Sequence, residues 1–483
     1  MKYILCIDQS TSGTKVGALN ELGQLSHIER KKHAQYYPAP GWVEHDAEEI
    51  WNNVSELLRK VASQLDSAEV VGLAITNQRE TTVLWDRATG NPVHPAIVWQ
   101  DVRAAALTDR LQQHDPFVRQ ATGLQLSPYY SAAKAAAVLA EHPELMERAR
   151  KGELCLGTID SYLLYRLTEG RSFKAEVSNA SRTQLMELST LSWSSEIAAI
   201  YDLPMSLLPD EICMSDADFG SVTAIDELNG VPVLAMLGDS HASLYGHGCV
   251  NPGMIKVTYG TGSSIMMNVG TVPHIPSSGL SASVAFGIEG KVSYVLEGNI
   301  TCSADTLMWL KDDLHLISSM DDLDEAATVA SSEGVYLVPA FAGLGAPWFD
   351  EKARALLFGM NRGTKRAHIL RAALDSIAHQ IADVMDAMSE ESGCPITLLE
   401  ADGGGSVNTL LMQTQSDLIP CKVAVSDEPE LSLLGAGLLA ARHAGILSPA
   451  FSASAPTVYV PQLDESSRQL CRAGWHDALK RCR

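Results

Sequence analysis

Two short turns, one in each half of the chain, carry the residue types that phosphate chemistry needs. The first is Asp8-Gln9-Ser10-Thr11-Ser12-Gly13-Thr14-Lys15, set between apolar runs at Tyr3 to Ile7 and Val16 to Leu19. A tight turn between two strands aims backbone N–H groups and hydroxyls, here Thr11 and Ser12, at one point, which suits phosphate oxygens. Asp8, at the strand end, can hold Mg²⁺ directly or through water. Lys15 can face phosphate as a point charge. An ordinary polar hairpin has the same composition. The second turn is Tyr259-Gly260-Thr261-Gly262-Ser263, again at a strand end. Two such turns facing each other across a cleft would clamp a polyphosphate. There is no Gly-x4-Gly-Lys-Ser/Thr loop, and no Gly-x-Gly-x-x-Gly follows the first strand.

Other residues add to this pattern. In Asp402-Gly403-Gly404-Gly405, three residues without a Cβ let a backbone lie flat against a ligand. A strand end followed by a helix would then place Gly404, Gly405 and Asn408 beside a base or ribose. Asp239, in Leu237-Gly238-Asp239-Ser240, follows a run that reads as a buried strand. It is a general-base candidate for a hydroxyl proton near a phosphoryl donor, and equally a helix N-cap before Ser240 to Tyr245. Arg79-Glu80 follows another strand and offers a donor and an acceptor to vicinal hydroxyls, or forms a plain surface ion pair. Trp99 and Tyr129-Tyr130 can pack a ring on a polyol's C–H face or sit in a core.

The elements that must position these groups alternate strand and helix, an α/β pattern. A helix from about Asp46 keeps Ile50, Val54, Leu57, Leu58, Val61 and Leu65 at spacings of three or four. Val70 to Ile75 reads as a buried strand, with Thr81 to Trp85 as its neighbour. Helical spacing covers about Ser303 to Leu316, His368 to Met388 and Leu431 to His443. The sequence of strand, Gly/Ser/Thr turn and strand opens the chain and recurs after about residue 250. This predicts two related domains, 1–248 and 249–483.

Composition narrows the function. In 483 residues, 36 Lys plus Arg against 58 Asp plus Glu leave a formal charge of −22. That argues against nucleic acid as a partner, which needs a basic face. With 46% apolar and 19% charged residues, the chain is not disordered. No apolar stretch is long enough for a membrane span, and Asp8 comes too early for a signal peptide. Nine Cys with no Cys-x-x-Cys pair fit reduced thiols and a cytoplasmic protein.

In this order the pieces resemble the FGGY carbohydrate kinases, most closely the glycerol kinases, through nearly the whole chain. The most specific stretches are Pro40-Gly41-Trp42-Val43-Glu44-His45-Asp46, Ile75-Thr76-Asn77-Gln78-Arg79-Glu80-Thr81-Thr82 and Ala96-Ile97-Val98-Trp99-Gln100. Val257-Thr258-Tyr259-Gly260-Thr261-Gly262, Pro339 to Pro347 and Gln413-Thr414-Gln415-Ser416-Asp417 match as well. The resemblance implies two actin-like ATPase (ribonuclease H-like) domains flanking a catalytic cleft, with ATP and Mg²⁺ as cofactors. It implies that Asp8 and Asp239 act near Mg²⁺, and that Thr11, Ser12, Lys15, Gly260 and Thr261 contact phosphates. Gly404, Gly405 and Asn408 would border the adenosine, with Ala304 where a Gly usually faces the nucleotide. Asp239 would be the base, Arg79, Glu80 and Tyr129 would bind substrate hydroxyls, and Trp99 would pack on its carbons. Kinases of this family are often dimers or tetramers, so a homodimer or homotetramer is expected.

The departures bear on substrate. Ser240 stands where glycerol kinases usually have Gln, and Ser264 where they usually have Phe. A buried aromatic occupies about 150 to 250 Å² of contact surface. Its replacement by Ser opens room for at least one more hydroxymethyl carbon and supplies a partner for its oxygen. The expected activity is therefore ATP-dependent phosphorylation of a primary hydroxyl of a small polyol or sugar, in a pocket enlarged beyond glycerol. The alternatives are a true glycerol kinase, an actin-like or chaperone-type ATPase with no use for a sugar site, and a non-catalytic sugar-binding regulator.

Overall fold

The structure, a computed structural model, describes residues 1–448 and 455–483. Two sheets organise it. The first has five strands in the order Val233–Gly238, Val70–Asn77, Tyr3–Ser10, Gly13–Asn20, Leu25–Lys32. Tyr3–Ser10 runs parallel to Val70–Asn77 and antiparallel to Gly13–Asn20. The second has seven, in the order Ser281–Ile288, Lys291–Ile300, Ser263–Gly270, Met254–Tyr259, Leu398–Asp402, Lys422–Val425, Thr457–Tyr459. Its central five strands repeat the order and directions of the first sheet. The repeat read from the two turns is thus a repeat of topology, the two actin-like domains that the resemblance implies.

Alternation along the first strands explains why helices cover both faces. Leu5, Ile7, Val16 and Ala18 pack with Ile50, Val54 and Leu58 of the helix Ala47–Ala62. Asp46 caps that helix by accepting from the N–H groups of Glu48 and Glu49. Ile4, Cys6 and Leu19 point the other way, onto Leu433, Ala436 and Leu439 of the helix Leu431–His443. That helix belongs by position to the second half yet packs on the first sheet. Its small residues permit the approach: a Cβ on Gly437 would lie 2.5 Å from Cys6 Sγ and 3.1 Å from the Leu19 side chain.

Two expectations change. Thr82–Asp86 does not pair with Val70–Asn77; it joins Glu44–His45, Ala96–Ile97 and Leu154–Thr158 in a separate four-stranded sheet. The turn at Gln78 to Thr81 redirects the chain, because Glu80 takes a left-handed backbone with φ 58°. The helix expected over Ser303 to Leu316 spans only Ala304–Asp312. Its apolar spacing continues in Leu314 and Leu316, but in a non-helical segment where His315 has φ 51°.

Candidate active site

The stems of the two hairpins face one cavity of about 930 Å³. Asp8, Lys15, Asp239, Ser240 and Ser243 line it from the first half, and Lys256, Thr258, Asp402, Gly403 and Gly404 from the second. Another cavity, about 1060 Å³ between Tyr36–Pro38 and Asn91–Pro95, contains none of the expected site residues.

Asp8 and Lys15 are cross-strand partners in the first hairpin. The Lys15 ammonium lies 3.6 Å from Asp8 and 2.6 Å from Glu430, which also accepts from Arg30. Burial pushes the Asp8 carboxyl up to about 6, against the pull of Lys15. Its Oδ1 is buried without a partner. A buried carboxylate oxygen with no donor fits a cation. Among the described residues no cluster of three His, Cys, Asp or Glu side chains could hold a metal by itself. Mg²⁺ keeps water and phosphate oxygens in its shell beside one or two carboxylates, so the free Asp8 oxygen fits it.

The turn tips are placed differently. Ser12 and Thr261 are exposed, Thr11 and Gly260 half-buried, and none lines the cavity. The Thr11 hydroxyl instead accepts from the Trp99 indole N–H at 2.9 Å. The Ala304 N–H donates to the carbonyl of Gly260, and Ser303 and Asp305 donate to that of Thr261. The second turn is therefore braced by the start of the helix Ala304–Asp312.

At the Gly-rich turn each glycine has its own reason. Gly403 has φ +88°, and a Cβ there would lie 2.6 Å from the carbonyl oxygen of Tyr259. A Cβ on Gly405 would touch that of Tyr259 at 3.0 Å. Gly404 has nothing within 4 Å and opens into the cavity. Asn408 caps the helix Thr409–Leu418 by accepting from Leu411 N–H, and it does not line the cavity.

Asp239 begins the helix Asp239–Gly246 but is not its N-cap; Gly238 holds that position. One carboxylate oxygen of Asp239 accepts from Ser240 N–H at 2.6 Å and lies 3.4 Å from Arg79 Nε. Burial raises its pKa, and the Arg79 charge works against the rise. Asp239 is thus shared by the cavity and by a second cluster built around Arg79.

In that cluster Arg79 and Glu80 do not pair with each other, and neither is on the surface. Arg79 reaches Glu297 with Nη1 at 2.8 Å and Nη2 at 3.0 Å. Glu80 accepts from Arg182 Nε at 2.5 Å, and Arg182 Nη1 is 3.3 Å from Glu297. All four are buried. Tyr129 packs edge-on to Trp99 with ring centroids 5.9 Å apart. Beneath it, fully buried Lys134 donates to the Tyr129 carbonyl, and burial lowers its pKa to about 7.

The register of the second sheet ties the two regions together. One cross-strand row runs Asp402, Thr258, Ser264, Asn299, and the next runs Glu400, Lys256, Met266, Glu297. Residues two apart on a strand share a face. Ser264 therefore sits on the face that carries Thr258 and Asp402 into the cavity and Glu297 to Arg79. Its hydroxyl is buried and has no partner.

Sequence reasoning missed Glu297, Arg182, Lys134, Glu430 and Lys256. Glu297 and Lys256 did carry a signal, a charge inside an apolar strand: Tyr294-Val295-Leu296-Glu297 and Met254-Ile255-Lys256-Val257. It also missed His247, whose Nε2 lies 2.8 Å from Asp402.

Comparison with known proteins gives the family and the fold. Residues 3–246 match the N-terminal domain and residues 255–444 the C-terminal domain of the FGGY family of carbohydrate kinases. A glycerol kinase of Halorhodospira halophila is 43% identical over 99% of this chain and 96% of its own. The crystal structure of Plasmodium falciparum glycerol kinase with ADP is 32% identical, with a TM-score of 0.94 over 100% of this chain and 98% of that one. The ligand-bound xylulose kinase of Lactobacillus acidophilus, 19% identical with a TM-score of 0.89 over 99% and 97%, shares the fold. The chain belongs to the FGGY family of carbohydrate kinases.

Proposed function

We propose that this ATP-dependent kinase phosphorylates a primary hydroxyl of a small polyol or sugar, and that its pocket takes more than glycerol. The observation that carries the reading is the placement of Asp239. It lines a cavity with room for a nucleotide and lies 3.4 Å from an arginine fixed by its other two nitrogens.

On this reading each site residue has a role. Lys15 holds phosphate oxygens from the cavity lining, while the N–H groups of the first turn and Gly260 and Thr261, outside that lining, take phosphate roles only on the family resemblance. Gly404 leaves the space that the nucleoside fills, with Gly405 and Asn408 shaping the backbone beside it. Asp8 and Asp239 are the carboxylates that would hold Mg²⁺; the ion, when bound, neutralises charge on the phosphates. Asp239 accepts the proton of the substrate hydroxyl as its oxygen bonds to the γ-phosphorus. The bond from that phosphorus to the bridging oxygen breaks, and ADP leaves. Arg79, Glu80 and Tyr129 orient the remaining hydroxyls, and Trp99 packs on the carbons. Most of the rate gain is position and fixed charge.

Ser264 supports the wider pocket. Its unpartnered hydroxyl is a cost of about 1–3 kcal/mol that a substrate hydroxyl would remove. Ser240 lines the cavity beside Asp239. A coupled ADP-release screen over glycerol, dihydroxyacetone, tetritols, pentitols and ketopentoses tests this. A longer polyol or ketose should give the highest kcat/KM, and Ser264→Phe should return the preference to glycerol. Glycerol as the best substrate of the natural protein ends the wider-pocket reading and leaves glycerol kinase, which 43% identity to a protein of that name favours. ADP release that ignores every polyol ends the kinase reading. The nine thiols, all free, accord with a cytoplasmic site of action.

A further inference from the structure

We infer that Glu297 is a positioning residue for the polyol site, supplied by the second half of the chain to hold Arg79 in register with Asp239. No motif in the sequence points to it. It comes from Lys291–Ile300, and both arginines that it grips come from the first half.

The geometry is specific. A guanidinium presents a planar fork, and Glu297 fills the fork of Arg79 with both oxygens, at 2.8 Å and 3.0 Å. That contact uses Nη1 and Nη2 and leaves Nε facing Asp239 at 3.4 Å. The same carboxylate lies 3.3 Å from Arg182 Nη1, and Asn299 Nδ2 approaches it at 3.4 Å. Arg182 spends its Nε on Glu80 and also bonds Ser281 Oγ at 3.1 Å. The Glu80 carboxylate is thereby held in place. Two arginines and two glutamates form a neutral, buried chain, Glu80–Arg182–Glu297–Arg79, whose two ends are the residues that orient substrate. His241 and Asp239 flank it.

A need for stability does not explain the chain of charges. Buried ion pairs often add nothing over apolar side chains of the same volume. What apolar packing cannot supply is a fixed direction for the Arg79 and Glu80 polar atoms. Glu297 supplies that direction through its contacts with Arg79 and Arg182.

This rests on the function proposed above, and the experiment separates the two. Full-length Glu297→Gln and Glu297→Asp are assayed with the best polyol from the screen, alongside thermal melting and ADP titration. In Glu297→Gln the polyol KM should rise about 30-fold, the factor expected from one misaligned charged hydrogen bond. The ATP KM should stay within about twofold. Glu297→Asp keeps the charge and shortens the reach. It should recover most of the loss while still raising the polyol KM alone, and it decides the matter if Glu297→Gln does not fold. A variant that melts lower with both KM values unchanged, or with both raised alike, would make Glu297 a structural staple and overturn the inference. Absence of polyol phosphorylation in the natural protein would instead strike the parent reading.

Discussion

The two halves of the chain share one strand order and put it to different uses. The first sheet works through side chains: Asp8, Lys15, Arg79, Glu80 and Asp239 all project from its strand ends. The second adds side chains too, Lys256, Thr258 and Asp402, but also leaves them out, at Gly403 and Gly404. A phosphoryl transfer needs both kinds of wall. Charge must be held where the reaction occurs, and a flat surface must be kept where a nucleotide lies. A duplicated fold supplies the two walls at matching heights, since each hairpin ends at the same place in its own sheet.

Loss of a charge in the first half should therefore cost catalysis and spare the fold. Asp239→Asn should lower kcat by about 10³-fold or more, while ADP binding by calorimetry is retained. Near-normal turnover would remove Asp239 from the mechanism and blur the contrast.

Addition of a methyl group in the second half should act on shape, and two neighbouring glycines should respond differently. At Gly403 the backbone has φ +88° and a Cβ would meet Tyr259 main chain at 2.6 Å. Gly403→Ala should destabilise the protein by about 2–3 kcal/mol in a denaturant melt. At Gly404 nothing lies within 4 Å. Gly404→Ala should melt like the natural protein yet raise the ATP KM by roughly tenfold. If Gly404→Ala leaves the ATP KM unchanged, the second wall does not lie where the nucleotide does.

The smallest effect lies on the seam between the halves. His247 follows the helix that carries Asp239, and Asp402 ends the strand before the Gly-rich turn. Burial opposes both charges, but their 2.8 Å contact prevails. It raises the His247 pKa and holds Asp402 at about 2. The Asp402 contribution is present above its ordinary value of 3.8 and fades as pH falls toward 2. That shift corresponds to about 2 kcal/mol. The His247 contribution is full below 6.5 and fades as pH rises through the folded value. His247→Gln should thus lose about 1 kcal/mol against the natural protein near pH 5.5 and much less near pH 9. An equal loss at both would show that the imidazolium charge does not hold the seam.

What the sequence revealed follows from range. Ser10 to Gly13 and Gly260 to Ser263 are local signals, because a turn's composition is set by its own backbone. The same holds for the Gly403 turn and for the helix capped by Asp46. Partnerships are a different matter. Arg79 reads as a neighbour of Glu80, yet it pairs with Glu297, 218 residues away. Lys15 meets Glu430 across 415 residues. No periodicity encodes such pairs. A charge inside an apolar strand, as at Glu297 and Lys256, signals only that some partner exists. The error at Thr82–Asp86 has the same root: the strand was recognised, but its sheet depends on one left-handed residue, Glu80, at a cost of about 1–3 kcal/mol.

The chain leaves the first sheet at Asn77 and re-enters it at Val233, and those two strands are parallel neighbours. Everything between, including Trp99, Tyr129 and Arg182, hangs from adjacent pegs. Such a cassette can be trimmed, lengthened or reshaped without shifting a single rung of the ladder that grips phosphate. The molecule is in that sense a fixed handle with an exchangeable bit, while Ser240 and Ser264 remain part of the handle.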